Sequence, residues 1–267
     1  MNPLLLLALF GFGLGFGDAE ISKFERLAAA EILSRLSGDS ARVQVDVVPD
    51  GLAVAWGSLT RATITASDFS LTELPLFTEP ERSQAGRLGE LRLRLYDFEL
   101  RGLRIKELRA DIPGCRYDFG LARSERTFRL SKSGVGTGSV KILEQDLADY
   151  IVMKYAEVKS ATVKVYNDVV WVEGYGEFLI FKTEFAIIAK LTAVEGTKLD
   201  LTDAKIYFNW RRADPAGAQA LLDLLNPVID LDEDLNLHGA ISVGSIRLRD
   251  GVLLIEGDTK IPVRPKG

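Results

Sequence analysis

Three segments of this chain alternate apolar and polar residues, slip by one position at an aspartate, and resume alternating: Ile64–Leu71 (ITASDFSL), Leu93–Leu100 (LRLYDFEL) and Leu199–Ile206 (LDLTDAKI). A β-strand shows one face at every second residue, so an uncompensated slip would turn the following core residues towards solvent. A β-bulge at each aspartate absorbs the extra residue, bends the strand and increases its twist. Long strands bent at recurrent points imply a strongly curved antiparallel sheet wrapped around other elements. On this reading Asp68, Asp97 and Asp203 serve shape rather than chemistry.

Helical periodicity precedes strand periodicity repeatedly along the chain. Ile21, Phe24, Leu27, Ile32, Leu33 and Leu36 mark one face of a helix over Ala19–Ser37, which Gly38 ends. Strands are expected at Arg42–Val48, Leu52–Trp56 and Leu59–Leu71. A polar loop over Pro75–Gly89 then leads to strands at Glu90–Leu100 and Leu103–Ile112. The pattern blurs from Cys115 to Gly138. A second helix over Leu143–Ala156 precedes strands at Ala161–Tyr166, Val169–Tyr175, Phe178–Phe181, Thr183–Val194 and Lys198–Phe208. Asp214-Pro215 opens a third helix with an N-cap and a first-turn proline. Two last strands, Ala240–Arg249 and Val252–Ile261, pair across Asp250-Gly251. Helix 19–37 followed by 42–71, and helix 143–156 followed by 161–208, share one plan. The expected fold is therefore α+β, a curved antiparallel sheet around helices, with two architecturally related halves in a single domain over 20–267.

Residues 1–19 read differently. The apolar run in MNPLLLLALFGFGLGFG is short for a membrane span and suits a secretory leader, with small residues at Gly17 and Ala19 for cleavage. No Lys or Arg precedes it, so retention as an N-terminal anchor stands as the alternative. Either way the chain is expected to be exported, to the periplasm or cell envelope. The net charge of −5 argues against a nucleic-acid binder. Thirteen Lys/Arg against seven Asp/Glu fall between Arg82 and Lys132, while Asp214–Asp234 holds six acids and no base. A membrane surface is a candidate partner for the basic stretch.

One cysteine and one histidine limit the chemistry. No intrachain disulfide is possible, and neither a structural nor a catalytic zinc site of the usual kind can be assembled. Gly134, Gly136 and Gly138 precede a helix, but the G-x-G-x-G spacing lacks the residues of a nucleotide loop. Asp230, Asp232 and Asp234 have the opening spacing of a calcium loop, yet Leu235 and Ile241 stand where glycine and glutamate are needed. His238 has no nucleophile elbow beside it. Cys115 next to Arg116 is either a buried packing residue or a thiol with a lowered pKa. No catalytic residues, cofactor or metal are assigned. Phe178–Phe181 and Phe185–Ala189 are apolar at consecutive positions, so both strand faces must meet a helix, a sheet, a partner or a lipid.

The Leu/Asp-Phe strand phrases, Gly102-Leu103 through Ala110-Asp111, and Gln145-Asp146-Leu147 carry a resemblance. Ala161 to Val165, Val172-Glu173-Gly174-Tyr175-Gly176, and Leu224-Leu225-Asn226-Pro227 leading into Asp230 extend it. Over roughly Glu20–Gly257 the chain resembles the LmeA-type phospholipid-binding proteins of bacterial cell envelopes. The resemblance implies a non-enzymatic protein binding phospholipid, and kinship with tubular lipid-binding domains, in which a curved sheet wraps a long helix beside an apolar groove. The loop at Pro75–Gly89 has no counterpart in it. On this reading Phe178, Ile180, Phe185, Ile187, Leu221 and Leu225 are the candidate acyl-chain lining, and Arg92 and Arg94 the candidate headgroup contacts. Two other classes stay open: an envelope interaction or assembly protein with a dry core, and a glycan hydrolase using two carboxylates.

Overall fold

The computed structural model describes residues 18–125, 128–178 and 181–265. The elements in chain order begin with α1 (Asp18–Leu33), β1 (Arg42–Pro49), a 3₁₀ turn over Gly51–Trp56, β2 (Ser58–Ser67) and β3 (Ser70–Leu71). There follow β4 (Gly86–Leu100), β5 (Leu103–Tyr117), α2 (Phe119–Ser124), β6 (Leu130–Lys132) and β7 (Gly136–Leu143). Then come α3 (Glu144–Lys154), β8 (Val158–Tyr166), β9 (Val169–Phe178), β10 (Phe181–Val194) and β11 (Lys198–Phe208). The chain closes with β12 (Arg211–Arg212), α4 (Pro215–Leu225), β13 (Ile229–Asp230), β14 (Ile241–Arg249) and β15 (Val252–Thr259). Of the leader or anchor expected over residues 1–19, residues 1–17 lie outside the described residues, and Asp18 and Ala19 begin α1.

These strands form two open sheets in an α+β fold dominated by strand. The first runs β1-β2-β4-β5-β7-β15-β14, with β3 on β4 and β6 on β5; the second runs β12-β11-β10-β9-β8, with β13 on β11. The β14–β15 hairpin, last in the chain, completes the first sheet beside β7. One hydrophobic core joins both sheets through α3, with Leu147, Ala148, Tyr150 and Ile151 buried between them. A smaller cluster around Leu88, Ile112, Cys115, Tyr117 and Leu130 fills the far end of the first sheet.

The slipped phrases have a sharper structural meaning than isolated bulges. β2 and β3 run parallel to β4, and the first two phrases lie side by side in register: Ile64 pairs with Leu93, Ala66 with Leu95, and Leu71 with Leu100. Asp68 and Asp97 both take left-handed backbone, φ 60° and 48°, a conformation that aspartate tolerates better than most residues. The Phe69 and Phe98 rings just after them stack at 5.0 Å. The antiparallel neighbour β5 keeps its register across Asp97, from Leu95–Leu108 to Phe98–Ile105. Adjacent strands thus change face along one line, and the register is the same on either side of it. Only at Asp203, φ 52°, does the register shift as a bulge requires, opposite Ile188–Lys190.

Other expectations change. The strand pairing is not wholly antiparallel, because the long 72–85 connection returns the chain to start β4 alongside β2. Leu52–Trp56 is a 3₁₀ turn rather than a strand. The blurred stretch contains α2, β6 and the start of β7. Gly136 and Gly138 lie in β7, inside the first sheet: a Cβ on Gly136 would collide with the Asp111 carbonyl of β5. In each half the helix packs on the strand that follows it, α1 on β1 and α3 on β8. Beyond that the halves diverge, into a parallel crossover in one and a four-strand meander, β8 to β11, in the other.

Candidate functional site

The inner face of the first sheet carries an apolar cavity of about 180 Å³. Its floor is Ile64 of β2, Leu93 and Leu95 of β4, Leu108 of β5 and Val140 of β7. All five are only half-buried although they lie on inner strands of the sheet. Strand alternation puts Leu93 and Leu95 on this face; the changes of face at Asp68 and Asp97 then keep Phe69, Leu71, Phe98 and Leu100 on it too. The slips therefore make the floor continuous. Without them the apolar surface would end halfway along each strand.

The cover comes from elements that are not sheet. Ile32 and Leu36 arrive from the C-terminal end of α1, and Leu74, Pro75 and Leu76 from the loop after β3. Ile241 and Ile261 close the side at the last hairpin. The apolar start of the otherwise polar loop is thus part of the site. An engineered apolar cavity of about 150 Å³ stays dry and takes up benzene, so this one suits a short stretch of hydrocarbon.

The residues singled out from the sequence lie elsewhere. Phe185 and Ile187 of β10 are 3% and 0% exposed, and Leu221 and Leu225 of α4 are 4% exposed. Phe185, Ile187 and Leu225 surround a gap of only about 20 Å³ shared with Leu147, Ile151 and Tyr155. That is a packing interstice, smaller than one acyl segment. Phe178 ends β9, and Ile180 lies outside the described residues. The outer side of β10 has large cross-strand neighbours, Tyr207 opposite Ala186 and Trp171 opposite Ile188. Arg92 and Arg94 alternate with Leu93 and so project from the other face of β4. Arg94 pairs with Asp111 at 2.5 Å, and Arg92 with Glu90 at 2.9 Å and Asp111 at 3.6 Å. The structure brings neither arginine to the cavity.

The remaining motifs resolve into architecture. Asp230 accepts from the backbone N–H groups of Asp232 and Glu233, at 2.9 and 3.0 Å. Asp232 accepts from Gly239 N–H at 2.7 Å. Asp234 accepts from Asp230 N–H at 2.8 Å and pairs with Lys154 at 2.5 Å. The three carboxylates thus fold their own turn and tie it to the end of α3. Lys154 also donates to the carbonyls of Pro227 and Val228. Cys115 is fully buried in the smaller cluster, where burial pushes its thiol up to about 11. It is a packing residue and not an activated nucleophile. His238 is exposed, its ring 5.9 Å from that of Phe77. Among the described residues no three metal-ligating side chains cluster.

The scaffold is an open, strand-dominated α+β fold with an apolar hollow on one sheet. A family model described as LmeA-like phospholipid-binding matches residues 24–258. The chain belongs to the LmeA-like phospholipid-binding family. Neither the curated proteins nor the solved structures provide a match to it. The cavity has one signal in the sequence: the apolar triplet Leu74-Pro75-Leu76 opening a polar loop. The floor residues read as ordinary one-sided strands, and nothing in their pattern says what covers them.

Proposed function

We propose that this protein is a non-enzymatic, exported component of the cell envelope that holds part of a phospholipid acyl chain in the cavity over Leu93, Leu95 and Leu108. The observation carrying this reading is the cavity itself, lined mainly by apolar side chains and floored by half-buried leucines at the middle of a sheet. Membership of a phospholipid-binding family supports the ligand class. Burial of each CH₂ contributes about 0.8 kcal/mol, so four or five buried methylenes suffice for roughly 3–4 kcal/mol of affinity. A diacyl lipid is larger than the cavity. Deeper uptake requires the Leu74–Leu76 loop and the end of α1 to move outward, opening the first sheet like a wrapped hand around its ligand.

Work at a membrane surface, in transfer or in maintenance of the envelope, follows from this reading. The acyl site is assigned to the first sheet because Phe185, Ile187, Leu221 and Leu225 already fill their own space. Native mass spectrometry of the purified chain, with uptake of fluorescent phospholipid from vesicles, tests the proposal. Co-purifying lipid and saturable uptake that Leu108→Trp abolishes are expected. No lipid and no uptake would overturn it.

A further inference from the structure

A second hollow, of about 640 Å³, shares Arg35, Leu71, Leu74 and Pro75 with the apolar cavity. Its character is different. Arg35, Arg101 and Arg264 line it, together with Glu73, Glu99 and His238. Arg35 is held by Glu31 at 2.7 Å. Arg101 sits in the β4–β5 turn with left-handed backbone, and its Nε donates to the Asp234 carbonyl at 2.6 Å. Arg264 lies with its Cζ 5.5 Å from the centre of the Phe77 ring. Its Nε is buried and has no hydrogen-bond partner.

A buried, unpaired N–H on a cation costs free energy that an acceptor would recover. The carboxylate behind it is already engaged: Glu79 pairs with both Arg82 and Arg129. Burial lowers the Arg129 pKa. Against the attraction of Glu79, repulsion from Arg82, Arg264 and Arg35 lowers it further. Arg35, Arg82 and Arg264 thus all stand close enough to Arg129 to repel it. Glu31 balances Arg35, and Glu73 and Glu99 stand against Arg101 and Arg264, so the donor left open in the hollow is the Arg264 Nε, which a singly charged phosphodiester oxygen could accept from. The planar fork of arginine suits such an oxyanion.

We propose that Arg264 and Arg101, with Arg35 on the shared wall, bind the phosphate of the lipid whose acyl segment occupies the cavity. The inference rests on the acyl-binding reading above. A phospholipid needs an apolar hollow and an oxyanion site in contact, and here the two have residues in common.

The test is displacement of a fluorescent phospholipid from the full chain by phosphatidylglycerol, by diacylglycerol of the same chains, and by inorganic phosphate. Phosphatidylglycerol is expected to compete about tenfold better than diacylglycerol. Arg264→Gln with Arg101→Gln should erase that preference and leave the diacylglycerol affinity in place, while Arg264→Lys keeps part of it. Arg101→Gln alone changes an exposed turn side chain and provides a folded variant in which the preference should fall in part. Equal competition by the two lipids, or a preference that survives the double substitution, would overturn the phosphate site and leave the acyl cavity standing. Loss of the preference in millimolar inorganic phosphate would overturn it in favour of a free-anion site. Failure of every lipid to bind would overturn both readings.

Discussion

The two sheets of this molecule face the same problem, an apolar inner surface, and solve it differently. Over the second sheet, α3 and α4 deliver Leu147, Ile151, Tyr155 and Leu225 directly onto Phe185 and Ile187, leaving about 20 Å³. Over the first sheet, α1 packs on the edge strand β1, and the central strands are roofed by a loop and chain ends, leaving about 180 Å³. Both surfaces are built from the same leucines and isoleucines. Whether a sheet face becomes core or container is decided by what is laid over it, because loops cannot supply the row of interdigitating side chains that a helix face does.

Substitutions test that contrast. The largest effect is expected at Ile187, which is completely buried: Ile187→Ala should cost about 3 kcal/mol in urea unfolding, whereas Leu93→Ala, at the half-empty cavity, should cost about 1 kcal/mol. Equal costs would mean that the first sheet is packed as tightly as the second. Next comes the line along which the strands change face. Asp68→Val forces a β-branched residue into left-handed backbone at φ 60° and should cost about 2 kcal/mol. Asp68→Gly should stay within about 0.5 kcal/mol of wild type, and the gap between the two reads the backbone requirement directly.

Filling the cavity reverses the sign. Leu108→Trp should block lipid uptake while changing stability by less than about 1 kcal/mol, since the added ring enters existing space. The same enlargement at Ile187 should unfold the protein. Smallest is an acid effect on the outer side of the first sheet. The hydrogen bond from Lys141 to Glu107, at 2.5 Å and aided by Arg109, holds the Glu107 carboxyl below its ordinary value near 4.5. A depressed carboxylate pKa stabilises the fold at pH above the unfolded value, and that stability is lost as pH falls through the folded one. Urea midpoints should therefore fall more for wild type than for Glu107→Gln between about pH 6 and about pH 3.5. Identical falls would show that this cross-strand pair contributes nothing.

Much of the fold was legible in local pattern. The α3 and α4 segments, the β14–β15 hairpin across Asp250-Gly251, and the left-handed aspartates all follow from spacing, capping and turn chemistry that act within a few residues. The family was legible too, from the strand phrases and the Leu224–Pro227 turn. The site was not. Consecutive apolar residues at Phe185–Ala189 drew attention to the second sheet, yet such a run only says that both faces are covered, not whether space remains. Arg92 and Arg94 stood out by proximity in sequence, while Arg264 and Arg101 meet near the cavity only through the return of the last hairpin and the β4–β5 turn. Glu90 and Asp111 engage the first pair on the outer face, a pairing set by strand register.

By itself, then, the sequence determined most of the elements and the aspartates at which strands change face, because both are set by backbone sterics and residue type. The tertiary structure alone decided that two of those aspartates stand side by side, so that the change of face extends one apolar floor across neighbouring strands. It alone decided that this floor is left partly uncovered and borders a hollow where the Arg264 Nε has no hydrogen-bond partner. Strand order and roof are long-range facts. They depend on which surfaces meet, and no periodicity within a strand encodes what will be laid on top of it.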